Sequence, residues 1–325
     1  MTDPILAMAH DPRNPQTGGR RRDYSAATNL RVSKAVARFK EIYVPYPLHT
    51  ELHARCDYLM KLGQETRGRP QLGMRVLAPS GSGKTTAAEA LMRLIEAKHP
   101  RTTTCVPVVY VSLEKAATSK KLMVSILDFF GDAYSIQGNE LILKRRALAC
   151  FERFGTRLLI IDEVHHLSLS RGTGNDVTDS LKRFLDDGVI PIVFLGTEDG
   201  AHLFTRNVQL SSRLVSPMDL RVLRSDRAAD VELMAAFVHS LDRAIVERGL
   251  LPEYAGLRDP WIQGCLHHVS GGVIGRVSRL LALALESALR RGADRIEVFD
   301  LSLASDEWAV AHQIIHSNPF LRGAP

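Results

Sequence analysis

Cysteine is scarce and scattered. Cys56, Cys105, Cys150 and Cys265 are the four in 325 residues, and no two stand in a Cys-x-x-Cys spacing. That excludes the common zinc ribbons and offers no disulfide framework, so the thiols read as small buried side chains. Long apolar runs are missing as well. No stretch approaches the roughly eighteen residues needed to span a bilayer, and Met1 to Pro15 lack the basic-then-apolar layout of a signal peptide. The expectation is a cytoplasmic chain with no membrane role. There is no internal repeat, and low complexity is confined to the first residues.

An acidic excess is also absent. The formal net charge is +6, and nearly all of it is N-terminal: residues 1–40 hold eight Lys/Arg against three Asp. Arg20, Arg21 and Arg22 form a run. Arg31, Lys34 and Arg38 then recur at helical spacing, opposite Val32, Ala35, Val36 and Phe39. Such a face either meets nucleic-acid phosphates or is a solvated helix surface. Residues 1–25, rich in Pro, Gly, Arg and Asp, read as a disordered basic tail, and 26–69 as a helical segment interrupted at Tyr43-Val-Pro-Tyr-Pro47.

What is present is an apolar content of 45%, enough for a sizeable core, and two motifs about eighty residues apart. The first is Ala78-Pro-Ser-Gly-Ser-Gly-Lys-Thr-Thr86, between an apolar run (Leu72 to Leu77) and a helical pattern. Here the backbone of Pro79–Thr86, opened by Gly81 and Gly83 and flanked by Ser80 and Ser82, would curl its N–H groups around phosphates at a helix N-terminus. Lys84 would reach the β/γ-phosphates, and Thr85 would hold Mg²⁺. Ala78 replaces the usual first glycine. The second motif, Leu158-Leu-Ile-Ile-Asp-Glu163, ends a buried-strand pattern in two acids. Asp162 suits Mg²⁺, and Glu163 suits polarisation of an attacking water. Together they predict an ATP site with Mg²⁺.

From about residue 70 to 224, β-branched runs alternate with amphipathic stretches: Leu72–Leu77, Val106–Leu113, Arg157–Asp162, Ile190–Gly196 and Met218–Leu223. This is a parallel, three-layer α/β pattern. From 225 to 316 helical patterns take over, at Ala228–Arg248, Asp259–His268, Ile274–Arg291 and Phe299–His312. An α/β nucleotide core followed by an α-helical lid is the plan of AAA+ P-loop ATPases, and it predicts further parts. Thr197, at the end of the fourth strand, stands where a residue sensing the γ-phosphate belongs. Arg213, with Arg206 in reserve, stands where an arginine is offered to the neighbouring subunit's nucleotide. Arg276, with Arg279 one turn on, opens a lid helix after Gly271-Gly272 as a second sensor; the glycine pair also suits a simple junction between helices.

Several signals have blander readings. His165-His166 are adjacent, so their side chains should diverge, and no third ligand is well spaced; packing and hydrogen bonding beside the acids are expected, not a metal site. Met123, Ile126, Phe129 and Phe130 read as core at helical spacing. The tail 317–325 carries Asn318-Pro-Phe320, either a short docking peptide or a loose end.

The chain resembles the TniB family of transposition regulators, with the related TnsC proteins. The similarity rests on Tyr43-Val-Pro-Tyr46-Pro47, Arg67-Gly-Arg69-Pro70, Ile160-Ile-Asp-Glu-Val-His-His-Leu167, Leu195-Gly-Thr197 and Gln209-Leu-Ser-Ser-Arg213. It departs at Val208, Leu214 and His166. The resemblance implies an ATPase that forms rings or filaments on double-stranded DNA without reading its sequence. It would mark a target and recruit a separate DDE-type transposase, in some systems with a TniQ-type protein. It also implies DNA-facing residues after the second strand and after the acid pair: Lys115, Thr118, Lys120, Lys121, Arg171 and Thr173. The alternatives are another DNA-associated AAA+ ATPase, of the initiator, helicase-loader or secretion type, and a DNA scaffold in which ATP is bound with negligible hydrolysis.

Overall fold

The computed structural model describes residues 21–167 and 177–322. Contacts divide it into two units, one of residues 45–222 and one joining residues 21–44 to 223–322. The N-terminal helical segment expected over 26–69 is therefore shared between them. The first helix, α1 (Ala26–Lys40), is capped by the Ser25 hydroxyl, which accepts from the Thr28 amide, and belongs with the C-terminal helices. The second, α2 (Pro47–Glu65), opens on a proline, whose missing N–H costs nothing at a first helical position. It belongs with the α/β unit.

That unit continues through β1 (Gly73–Leu77), α3 (Lys84–Lys98), β2 (Val108–Ser112), α4 (Ser119–Phe129), α5 (Glu140–Arg153), β3 (Leu158–Asp162), a 3₁₀ turn at Val164–His166, α6 (Val177–Asp186) and β4 (Ile192–Gly196). A second 3₁₀ turn (Glu198–Gly200) and the short helices α7 (Ala201–Arg206) and α8 (Val208–Ser211) complete it. The strands are parallel in the order β1-β4-β3-β2. Every residue of the central strands β3 and β4 is buried, as expected when helices cover both faces of a parallel sheet. Alternate side chains sort to the two faces. Met74, Val76, Leu158, Ile160, Val193 and Leu195 pack with Leu52, Leu59, Ala87 and Leu91 of α2 and α3. Val109, Val111, Leu159, Ile161, Ile192 and Phe194 pack with Met123, Ile126, Phe151 and Leu181 of α4, α5 and α6.

The fifth expected strand is only half built. The amides of Val215, Met218 and Leu220 donate to the carbonyls of Gly73, Arg75 and Leu77 at 2.8, 3.1 and 3.1 Å, so the segment lies along β1. Pro217 has no N–H to give, and the Leu77 amide is taken by the Asp219 carboxylate at 2.9 Å instead of by a backbone carbonyl. A regular ladder cannot continue through that exchange.

The helical unit adds α9 (Ala228–Glu247), α10 (Pro260–Ser270), α11 (Ile274–Arg290) and α12 (Val298–Ala304), the last running on as a π turn over Ser305–Val310. Val277, Leu280, Leu281, Ala284, Leu285 and Ala288 form the buried stripe of α11. The basic face of α1 has a structural use here. Arg31 donates to the Leu289 carbonyl at 2.7 Å, and Arg38 to that of Arg248, so both guanidiniums bond carbonyls at helix C-termini, where the helix dipole favours a cation. The tail is likewise used internally. Asn318 donates to the Ser302 carbonyl at 2.9 Å, and Phe320 is buried edge-on against Trp261. Among the described residues no helix is long and apolar enough to cross a membrane.

Candidate functional site

In a parallel sheet ligands gather beyond the C-terminal ends of the strands, where helix N-termini converge. Three of the four strands here end in candidate residues: β1 runs into the 78–86 loop, β3 ends at Asp162, and β4 ends one residue before Thr197. The loop turns through left-handed backbone at Gly81 (φ 80°) and Gly83 (φ 90°), conformations a side chain would strain. Gly83 caps α3, which points its free amides back into the loop.

Lys84, the first residue of that helix, is buried. Its ammonium donates to the loop's own carbonyls, Ala78 at 2.8 Å and Pro79 at 3.1 Å. Burial pulls its pKa down, partly offset by the charges of Asp162, Glu163 and Glu198. The hydroxyl of Ser82 is buried with no hydrogen-bond partner. A desolvated cation bonded only to carbonyls, beside an orphaned hydroxyl and free helix amides, is a cradle suited to an anion.

The two motifs meet at Asp162. Its Oδ2 accepts from the Thr85 hydroxyl at 2.8 Å and from the Tyr110 phenol at 2.7 Å, while Oδ1 accepts from the Glu163 amide at 2.7 Å. Thr85 and Asp162 are hard oxygen donors side by side, the donor chemistry Mg²⁺ requires. Tyr110 is a site residue that the motifs do not reveal. Its one visible signal is a phenol inside the apolar strand Val-Val-Tyr-Val-Ser, and burial with the Asp162 contact keeps that phenol protonated. His49 was missed as well. It is buried on α2, with an edge-on contact to Tyr46, and the Ser82 backbone of the 78–86 loop favours its charged form.

Glu163 occupies a left-handed conformation (φ 59°, ψ 37°). That turn overturns the expectation that the two histidines diverge. The rings of His165 and His166 lie 4.1 Å apart, and their Nε2 atoms sit 3.1 and 4.0 Å from Glu163 Oε2. The Thr197 amide donates to His165 Nδ1 at 3.4 Å, so the structure joins Thr197 to Glu163 through one imidazole.

The remaining candidates are placed separately. Arg213 is ion-paired to Asp186 of α6 at 2.7 Å. Arg206 lines an open hollow with Asp179, Lys182, Arg183 and Gln209. Arg276, in the first turn of α11, lies 3.5 Å from the Ser270 carbonyl within the helical unit, and Arg279 is exposed. Lys115, Thr118, Lys120 and Lys121 are all exposed around the start of α4, which Thr118 caps by accepting from the Lys121 amide. The Ala117 amide donates to the His166 carbonyl at 3.0 Å, bonding this segment to the turn after Glu163. Arg171 and Thr173 lie outside the described residues.

A profile of the bacterial TniB protein family matches residues 37–221, more than half of the chain and both motifs. The chain belongs to the TniB family. A search of curated proteins gave no match. Among solved structures it is similar to the Aeropyrum pernix ORC2 protein in its ADPNP–ADP complexes (TM-score 0.62, 17% identity, covering 86% of this chain and 74% of that one). It is also similar to Cdc6p from Pyrobaculum aerophilum (0.60, 15%, 88% and 73%) and to a chain of Drosophila ORC bound to DNA (0.54, 14%, 97% and 71%). At these identities the likeness establishes the fold. This TniB chain shares that fold, an α/β unit followed in the chain by a helical one.

Proposed function

We propose that this TniB protein is an ATP-hydrolysing regulator of transposition that assembles on double-stranded DNA, marks a target site and recruits a separate DDE-type transposase. The observation that carries the ATPase part is the meeting of Thr85, Asp162 and Tyr110 within 2.8 Å, with Glu163 at the next position. The phosphates of ATP would displace the loop carbonyls from Lys84 and engage the α3 amides. Thr85 and Asp162 would hold Mg²⁺, which neutralises charge on the transferring phosphoryl group. Glu163 would polarise the attacking water, with Thr197 nearby as γ-phosphate sensor. Arg213 would leave Asp186 for the nucleotide of a neighbouring copy, so that ATP stabilises assembly by its higher affinity for the assembled state.

The exposed cations around the start of α4 support the DNA part of the reading. Lys115, Lys120 and Lys121 add charge to a helix N-terminus, and repeated along an assembly they would sum many weak phosphate contacts without base readout. Family membership supports the role in transposition and a TniQ-type partner. A DNA scaffold that binds ATP with negligible hydrolysis is the alternative that the same test separates.

The test is electron microscopy of the purified chain with duplex DNA and either ATP, a non-hydrolysable analogue, ADP or no nucleotide, alongside phosphate release. Rings or filaments confined to the ATP states, with turnover, are expected. Assemblies without turnover favour the scaffold. Monomers that ignore DNA in every state sink both.

A further inference from the structure

We infer that His165 is a positioning residue for Glu163, holding one carboxylate oxygen so that the other is left to accept from water. This rests on the reading of Glu163 as the water-polarising group. The imidazole sits between two fixed partners, the Thr197 amide 3.4 Å from Nδ1 and Glu163 Oε2 3.1 Å from Nε2. A backbone N–H can only donate. Nδ1 is therefore an acceptor without a proton, and the ring hydrogen sits on Nε2, the nitrogen that lies 3.1 Å from Glu163 Oε2. Oε2 faces that N–H, and Oε1 is the oxygen left for water.

The same bond pattern decides between two uses of the cluster. Glu163, His165 and His166 offer ligand atoms within 4.8 Å of one another, as a metal site would. A metal on His165 Nε2 would need the ring hydrogen on Nδ1, facing the Thr197 N–H, and two donors cannot bond each other. His166 Nε2, 4.0 Å from Oε2, is beyond hydrogen-bond range. The arrangement is a clamp with one working histidine.

The clamp is anchored on every side. The His166 amide donates to the Glu163 carbonyl at 2.9 Å, and the Leu167 amide to that of Val164 at 3.0 Å, which sets the turn. The Ala117 amide holds the His166 carbonyl from the start of α4. The end of β4 presses on the turn so closely that a Cβ at Gly196 would lie 2.7 Å from Val164 Cγ2. A side chain mounted there keeps its aim, and a misplacement near 1 Å at a reacting group costs on the order of 100-fold in rate.

The test is steady-state ATP hydrolysis by the full chain with Mg²⁺, alongside the affinity for a fluorescent ATP analogue and the thermal midpoint. His165→Asn keeps an acceptor near Nδ1 and removes the donor; His165→Gln places an N–H near Nε2. Expected are a kcat lowered roughly 10- to 100-fold in His165→Asn with nucleotide affinity and midpoint unchanged, recovery of most of that rate in His165→Gln, and parental behaviour in His166→Ala. Parental kcat in His165→Asn overturns the inference, as does loss of nucleotide affinity in both His165 variants, which marks a merely structural role. Stoichiometric Zn²⁺ retention by the parent, lost in both His165→Gln and His166→Ala, also overturns it. Abolished hydrolysis in Glu163→Gln beside a parental His165→Asn removes this inference alone. A parental rate in Glu163→Gln removes the reading beneath it too.

Discussion

The two units handle buried polar groups in opposite ways. The helical unit closes its charges on itself. Arg291 is bonded to the fully buried Asp300 at 2.8 Å, and the buried carboxylates of Asp230 and Asp242 accept the amides of Arg224 and Ala255. Arg31 and Arg38 finish helix ends. The Ser287 hydroxyl is an exception. The α/β unit instead leaves a desolvated ammonium on its own loop carbonyls beside an orphaned Ser82 hydroxyl, and it strains Glu163 into left-handed backbone. Pairing completed inside a unit marks stability. Pairing left incomplete at the end of the sheet supports the proposed anion site, although Arg75 Nε and Thr156 Oγ1 of the same unit are also buried without a hydrogen-bond partner.

The comparison breaks most visibly if Arg291→Met is harmless. Removing one partner of a buried ion pair should cost about 3–5 kcal/mol, read as a shift in the denaturant midpoint. The converse holds at the other site. Lys84→Ala and Glu163→Gln should each cut hydrolysis by about 100- to 1,000-fold while moving the thermal midpoint little. A large loss of stability in either would make those residues structural and erase the contrast.

A smaller effect concerns His49. Burial, with the charge of His53 adding to it and the Ser82 backbone opposing it, lowers its pKa to about 4. The unfolded chain titrates near 6.5, so between those values the unfolded state binds the extra proton and stability falls as pH falls. The slope from this group is at most about 1.4 kcal/mol per pH unit. His49→Gln should flatten the denaturation free energy over that window, and an unchanged slope would show that His49 is not its source. The smallest effect has the opposite sign. Ser82→Ala removes a buried hydroxyl without a partner and should leave the free chain as stable as before or raise it by up to about 1 kcal/mol, while weakening ATP binding. Destabilisation of the free chain would mean that the hydroxyl is already satisfied.

Much of this was legible in the residues themselves. Gly81, Gly83 and Lys84 dictate a left-handed turn followed by a helix start because those requirements are local. Asp162 and Glu163 are legible because they end an apolar strand. The fifth strand was less so, since a single exchange at Asp219 and Pro217 interrupts a ladder that the apolar pattern alone would continue. The basic stripe of α1 was ambiguous for a deeper reason: a charge pattern says that a face is polar, not what it meets. The tail at Phe320 has the same ambiguity.

By itself, then, the sequence determined the period of each element, the order of strands and helices, and the two motifs that meet at the C-terminal end of the sheet. Those properties depend on neighbours in the chain, within one turn or one strand. Only the tertiary structure decided that α1 serves the C-terminal helices, that Tyr110 reaches Asp162, and that His165 stands between Thr197 and Glu163. Each of these is a contact between residues far apart in sequence or turned by an unusual backbone angle, and no local preference encodes it.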